Sequence, residues 1–89
     1  MKTHELKTYP EYFEQIWEGK KDWELRKNDR NYKFNDTLIL KEWDWRVNEY
    51  TGREIEAVVC YVLKGVPEFG LMSGYCILSL RITNYTDLS

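Results

Sequence analysis

The chain lacks the segments and residue clusters on which several classes of protein depend. Its 89 residues contain no apolar run near the ~20 that cross a bilayer, and the N-terminal MKTHELKTYP has no stretch of signal-peptide length. Histidine occurs once, as His4, and Cys60 and Cys76 lie outside any CxxC pattern, which leaves too few ligands for a metal centre. We therefore expect a cytoplasmic protein without a membrane partner, metal or organic cofactor, and with both thiols reduced in the core.

Charge is low overall but unevenly placed. The formal net charge is −2, yet the segment from Lys20 to Lys33 has six cations and three anions, so it carries +3 and the rest of the chain −5. The preceding PEYFEQIWEG has three glutamates and no cation. This asymmetry argues against nucleic-acid binding by the whole surface and favours the steering of an anionic partner to one place.

Aromatic residues make up 16% of the chain, which suits its small size. A domain of this length has a thin core, and large rings bury much area per residue. We expect one domain over residues 1–89, with an ordered core from about residue 3 to residue 83 and a loosely held tail.

Hydrophobic periodicity predicts one early helix and about five strands. The helix begins at Pro10, has an apolar face that includes Tyr12 and Phe13, and ends at Gly19. Alternation predicts the strands at His4–Tyr9, Asp22–Asn28, Thr37–Trp45, Arg53–Leu63 and Tyr75–Thr83. The pattern favours an α+β fold, a small and mostly antiparallel β-barrel flanked by the helix, because closure removes exposed strand edges.

Two of these strands have a definite predicted inner face. In the fourth strand the core positions are Ile55, Ala57, Val59, Tyr61 and Leu63. In the second strand Trp23 and Leu25 alternate with Glu24 and Arg26. We expect Trp23 to pack in the core and the polar face to point to a cleft or to solvent.

The stretch GKKDWELR, from Gly19 to Arg26, carries the candidate chemistry. Lys20 and Lys21 fall where the helix gives way to the second strand, and Glu24 and Arg26 share one strand face about 7 Å apart. Glu24 is positioned to orient Lys21 or Arg26, and these two cations suit phosphate binding. A solvated, charged strand face is the alternative interpretation, since exposed ion pairs contribute little stability.

This stretch resembles the G-x-K-x-x-E-x-R signature of the ASCH domain, a group within the PUA superfamily. The segments HELK, E-x-R-K-N-D-R, Y-T-G-R-E-I and E-F-G-L-x-x-G-Y are similar to a small ASCH-like family of bacteria and phages that is mostly described as RNA-binding. The resemblance covers His4 to Ile82. It implies a PUA-like barrel whose signature residues line a cleft between helix and barrel, and an RNA or nucleotide-like ligand.

The charge pattern and the resemblance together suggest a set of ligand-binding residues. These are Lys20, Lys21, Glu24, Arg26, His4 and Tyr75. The resemblance implies that His4 lies in the cleft beside Glu24 and Tyr75; its other interpretation is a half-buried histidine hydrogen-bonded near the end of its strand. The hydroxyl of Tyr75 is expected in the cleft, with core packing as the alternative. Trp43 and Trp45 lie close to the predicted hairpin and are either stacking surfaces for unpaired bases or core.

Two other functions remain open at this stage. One ASCH branch resembles amidohydrolases that deacetylate N4-acetylcytidine, which would make Lys21 and Glu24 catalytic candidates, although that branch has threonine in place of Glu24. It also needs a carboxylate from the segment before the last strand, where this chain offers only Glu68. Alternatively, the chain is an interaction module of phage origin that binds a host protein through its acidic helix face and aromatic hairpin.

Overall fold

A computed structural model describes residues 1–88 as one five-stranded sheet with a short helix. The elements in chain order are β1 (Thr3–Thr8), α1 (Pro10–Trp17), β2 (Trp23–Lys27), β3 (Thr37–Asp44), β4 (Glu49–Lys64), a 3-10 helix (Pro67–Phe69) and β5 (Tyr75–Asp87). The order across the sheet is β1-β3-β4-β5-β2, with β1 parallel to β3 and the other pairs antiparallel. The predicted mostly antiparallel sheet with one early helix is confirmed at this level.

The sheet curls into a half-barrel, so the expected closed barrel is only partly formed. Strands β1 and β2 are the two edges of the sheet. The curl brings them close enough for Arg26 of β2 to donate hydrogen bonds to the backbone carbonyl of Lys7 and the hydroxyl of Thr8 in β1. We call these two contacts the seam. Side chains therefore bridge the gap that a closed barrel would fill with a backbone ladder.

The core is formed by the sheet and α1, which contributes Phe13 and Ile16. Its buried apolar residues are Leu6, Phe13, Ile16, Tyr32, Leu38, Leu40, Ile55, Ala57, Val59, Cys76, Leu78 and Leu80. Among residues 1–88, no helix has the length and apolar character needed to cross a bilayer.

A buried ion pair fixes α1 to the sheet. Arg53 of β4 donates two hydrogen bonds to the buried Glu42 of β3 and one to Glu14 of α1, while its guanidinium lies 4.8 Å from the ring of Trp17. Burial alone would raise the pKa of Glu42, but the hydrogen bonds from Arg53 and Thr51 outweigh it and hold the pKa below its ordinary value. The helix has only eight residues, and these contacts supply the tertiary support that such a short helix needs.

The expected core face of β4 ends earlier than predicted. Ile55, Ala57 and Val59 are buried, but Tyr61 is exposed and Leu63 is only partly buried. The register with β5 shifts between Val59 and Tyr61, and such a bulge changes the side to which the following residues point. The expectation that both thiols lie in the core is wrong for Cys60 of β4, which is exposed. Cys76 of β5 is buried, as expected.

The last strand is longer than predicted. Strand β5 continues to Asp87 rather than ending at Thr83, because Tyr85, Thr86 and Asp87 pair with Ile55, Glu54 and Arg53 of β4. The predicted loosely held tail is therefore part of the sheet up to Asp87, and Ser89 lies outside the described residues.

The first strand is fixed at its start by Asp36. This buried carboxylate accepts hydrogen bonds from the backbone N–H groups of Lys2 and Lys33 and is 2.9 Å from Nε2 of His4. Burial alone would raise the pKa of Asp36, but these hydrogen bonds outweigh it and lower the pKa from 3.8 to about 2. The ring of His4 also makes an edge contact with Tyr32. His4 is thus a packed structural residue.

Lowering the pH should destabilise the fold through Asp36. Its pKa is lower in the folded state than in the unfolded chain, so its contribution is complete above about pH 4 and is lost as the pH falls to about 2. A shift of this size corresponds to about 2 kcal/mol. Urea unfolding at several pH values should show this loss in the wild type and a smaller one in Asp36→Asn.

Asp29→Asn is the matched control, because Asp29 is an exposed aspartate of the same loop. It should keep the wild-type dependence on pH. Equal acid sensitivity in wild type and Asp36→Asn would contradict the role of this carboxylate.

Candidate functional site

The turn at the end of α1 points the side chains of Lys20 and Lys21 in different directions. Gly19 has a φ of +78°, its N–H donates to the carbonyl of Ile16, and the N–H of Lys20 donates to the carbonyl of Gln15. This pair of bonds is a Schellman motif, which favours glycine at its left-handed position. After the turn, the side chain of Lys20 is 65% exposed and pairs with Glu18, whereas that of Lys21 is 13% exposed and points towards β2.

Glu24 is the centre of a cluster of charges beneath Lys21. Only 4% of Glu24 is exposed, and its carboxylate pairs with Nζ of Lys21 at 3.3 Å and accepts a hydrogen bond from Nε of Arg26 at 2.9 Å. A buried carboxylate is stable only when it is paired and hydrogen-bonded, as Glu24 is. The predicted role of Glu24 in orienting Lys21 and Arg26 is therefore supported by the geometry.

Arg26 links this cluster to the seam. Its Nη2 donates to the carbonyl of Lys7 at 2.8 Å and to Oγ1 of Thr8 at 2.9 Å, while Nε remains bonded to Glu24. One guanidinium thus contacts a side chain of its own strand and two groups of the opposite edge strand. The planar fork of arginine makes this possible, and the single ammonium of lysine cannot match it.

A groove with a volume of about 870 Å³ opens beside the seam, between the start of α1 and the two edge strands. The groove is lined by Lys7, Thr8, Tyr9, Tyr12, Lys21, Trp23, Glu24, Leu25, Arg26, Lys27, Trp43 and Tyr75. Four of these side chains are cationic, one is anionic and five are aromatic. The groove therefore combines excess positive charge with several ring faces.

Two of the four cations of the groove lie against its rings. Nζ of Lys21 is 4.7 Å from the ring centre of Trp23 and 5.4 Å from that of Tyr12. Nζ of Lys7 is 4.0 Å from the ring centre of Trp43. Such cation–π contacts hold lysine heads at defined positions on the groove wall.

The structure brings together only part of the predicted set of site residues. Lys21, Glu24, Arg26, Tyr75 and Trp43 line the groove. The others lie elsewhere. Lys20 and Trp45 are exposed outside the groove, and His4 is buried against Asp36 rather than beside Glu24 and Tyr75.

Trp23 was expected in the core, but it is 44% exposed and lines the groove. Strand β2 is an edge strand, and its polar face turns inward to form the Glu24–Arg26 cluster. The apolar face of the strand consequently points outward. The alternation was correctly recognised, but the buried side was misassigned.

Sequence reasoning missed two further cations of the groove, Lys7 and Lys27. Both lie on edge strands, and no local pattern distinguishes them from solvated lysines. Lys7 falls within the segment HELK, whose resemblance implies no role for this lysine at the site. Only the approach of the two sheet edges places these residues together.

The hydrolase alternative needs a carboxylate at the groove from the segment before the last strand. Glu68, its candidate carboxylate, lies in the 3-10 helix after β4 and is outside the residues that line the groove. Within residues 1–88, no three or more histidine, cysteine, aspartate or glutamate side chains are arranged to hold a metal ion.

Comparison with known proteins gives a family and a phage relative. A family profile described as "Domain of unknown function (DUF3850)" matches residues 3–80. The chain is also 54% identical over 56 residues to "Uncharacterized 12.9 kDa protein in GpA 3'region" of Escherichia phage P2, an alignment that covers 63% of this chain and 50% of that protein. The chain thus spans about half the length of this curated relative.

Replacing Arg26 with lysine should weaken the seam. The charge is kept, but one ammonium cannot bond Glu24, Lys7 and Thr8 together, so the free energy of unfolding should fall by about 1–3 kcal/mol. Urea denaturation measures this loss. Arg81→Lys, at an exposed position of β5, is the matched control and should change stability little. Equal stabilities of the two variants would show that the seam does not hold the edges together.

Proposed function

The chain belongs to the DUF3850 family, and we propose that it binds single-stranded RNA in the groove between α1 and the two edge strands. The observation that carries this proposal is the lining of the groove, in which four cations and five aromatic rings surround one buried carboxylate. Unpaired nucleotides present an anionic phosphate and an aromatic base, and this lining offers a partner for each.

The cations supply the contacts to phosphate. Lys21 and Lys27 lie at the groove with ammonium groups that suit a phosphate oxygen, and Lys7 faces them from the opposite edge strand. Glu24 keeps Lys21 from swinging away into solvent, since it pairs with Nζ. Its negative charge also limits the anions that the groove accepts to those that reach the cations without approaching the carboxylate.

The rings supply the contacts to bases. Trp23 and Tyr12 flank Lys21, and Trp43 and Tyr75 lie elsewhere on the wall. Stacking of a base on an aromatic side chain contributes about 1–3 kcal/mol and is tolerant of sequence. A volume of about 870 Å³ lies within the range typical of small-molecule sites, so a nucleotide fits.

The proposal includes a PUA-like identity for the fold. Its support is the curled five-stranded sheet with one helix at its edge, and the position of the G-x-K-x-x-E-x-R residues. Lys21, Glu24 and Arg26 converge at the groove after the turn at Gly19. This convergence is what the ASCH resemblance leads one to expect of the signature.

Neutralising Lys21 should weaken RNA binding far more than neutralising its neighbour. Lys21→Gln removes a groove cation, so the affinity for a short single-stranded RNA should drop about ten-fold at low salt. The slope of log affinity against log salt should shrink by about 0.7, the value for one phosphate contact on a single strand. Fluorescence anisotropy with a labelled oligonucleotide measures both quantities.

Lys20→Gln makes the same charge change outside the groove and should leave affinity within about two-fold. Circular dichroism should show that both variants are folded. If the two variants bind RNA equally well, the site is not this groove. If the wild type binds no RNA but retains a host protein after nuclease treatment, the proposal fails in favour of a protein partner.

Trp23 and Trp45 form a second matched pair. Both tryptophans are about half exposed, at 44% and 52%, but only Trp23 lines the groove. Trp23→Ala should cost about 1–3 kcal/mol of RNA-binding free energy through lost stacking, while Trp45→Ala should cost little. Isothermal titration calorimetry with the same oligonucleotide would detect the difference. A larger loss in Trp45→Ala would place base stacking at the hairpin instead.

A further inference from the structure

A second cavity adjoins the groove and has the same kind of lining. It has a volume of about 400 Å³ and is lined by Glu5, Leu6, Lys7, Arg26, Lys27, Asp29, Arg30, Tyr32, Lys41 and Tyr50. Five of these residues are cationic and two are anionic. The cavity lies along the same two edge strands and extends into the loop that follows β2.

Three cations line both the groove and the second cavity. Lys7, Arg26 and Lys27 occur in both linings, and we call them the ridge. Arg26 is fixed in place by the seam and by Glu24, so the ridge has a rigid centre. The groove and the second cavity, together called the two hollows, thus share the positive charges of the ridge.

An aromatic pair also connects the two hollows. Trp43 lines the groove, Tyr50 lines the second cavity, and their ring centres are 4.8 Å apart in an edge-to-face arrangement. Nζ of Lys7 lies 4.0 Å from the ring centre of Trp43 and 6.0 Å from that of Tyr50. Each hollow therefore has an aromatic ring in its lining, with a lysine beside that ring.

The second cavity has two cations in addition to the ridge, Lys41 and Arg30. Lys41 is already engaged with Glu5 at 3.2 Å and with Glu54 at 3.9 Å. Arg30 is exposed and lines this cavity but not the groove. The two hollows together carry +3 on a chain whose net charge is −2, so the rest of the molecule is −5. An anionic strand is attracted to this track and repelled by the remaining surface.

We propose that the ligand is an RNA strand of at least two nucleotides that crosses the ridge. One nucleotide occupies the groove, the next occupies the second cavity, and the phosphate that joins them contacts the ridge. This inference rests on the proposed function and narrows it, because it assigns the site to a strand and not to a single nucleoside or nucleotide. Arg30 and Tyr50 become specificity-determining contacts for the second nucleotide.

The test compares ligands of different length on matched variants. The ligands are uridine 5′-monophosphate, the dinucleotide UpU and tetrauridylate, and the variants are Arg30→Gln and Arg81→Gln. Both arginines are exposed, and Arg81, on β5, lies outside both linings. Affinities are measured by calorimetry at low and moderate salt.

Tetrauridylate should bind wild type at least about ten-fold more tightly than the monophosphate does, because one more base stacks and more phosphates are neutralised. Arg30→Gln should lower the affinity for tetrauridylate about three-fold or more and reduce its salt slope by about 0.7. The same variant should leave the affinity for the monophosphate within about two-fold. Arg81→Gln should change the affinity for neither ligand.

Three results would overturn the inference, and only the last of them would also overturn the proposed function. Equal affinities for monophosphate and tetrauridylate, or no difference between Arg30→Gln and Arg81→Gln, would restrict binding to one nucleotide. If Lys21→Gln still weakened binding in that case, the proposed function would stand without the second cavity. No binding of any of the three ligands would overturn both.

Discussion

The hydrogen bonds of the Arg26 guanidinium hold the two edges of the sheet at a fixed separation, and the groove depends on that separation. In a curled sheet of five strands, β1 and β2 come close without pairing through their backbones. Arg26 bridges the remaining gap to Lys7 and Thr8, and Glu24 fixes the arginine. The cost of burying Glu24 is offset because it is paired on both oxygens. This bridge fixes the position of Lys7 on β1 relative to Trp23 and Lys27 on β2.

The residues of this cluster have different roles in the site. Arg26 and Glu24 are committed to each other and to β1, so they set the shape and the local potential of the groove. Lys27 is exposed, and Lys21, which is 13% exposed and paired with Glu24, lines the groove with its ammonium group. The turn at Gly19 is the local cause, because the Schellman motif ends the helix and sends Lys20 outward and Lys21 inward. Two residues with the same side chain thereby have different environments, and this difference comes from backbone geometry alone.

Local signals in the sequence were sufficient for the helix and for the five strands, because each depends on neighbours along the chain. For Lys21, Glu24 and Arg26 they left a solvated strand face open, and the resemblance favoured a cleft. The local signals failed where the answer depends on the position of a strand in the sheet. Trp23 looks like a core residue by alternation, but its strand is an edge that turns its charged face inward. Tyr61 follows a bulge at Cys60 that no local sequence pattern indicates. His4 was assigned to the cleft by resemblance, whereas its partner is Asp36, 32 residues away in the chain. Lys7 could be placed only after β1 and β2 were known to meet.

The gap between β1 and β2 has a consequence for how copies of the protein meet one another. Each of these edges has backbone donors and acceptors that no neighbouring strand of the sheet takes up. The unpaired backbone groups of such an edge can pair with a strand of another molecule, and this pairing leads to aggregation. Lys7 and Lys27 lie on these very edges, and lysine on an edge strand is one of the ways in which proteins discourage such pairing. The charges that form the groove therefore also let the barrel stay open without recruiting a sixth strand from its neighbours.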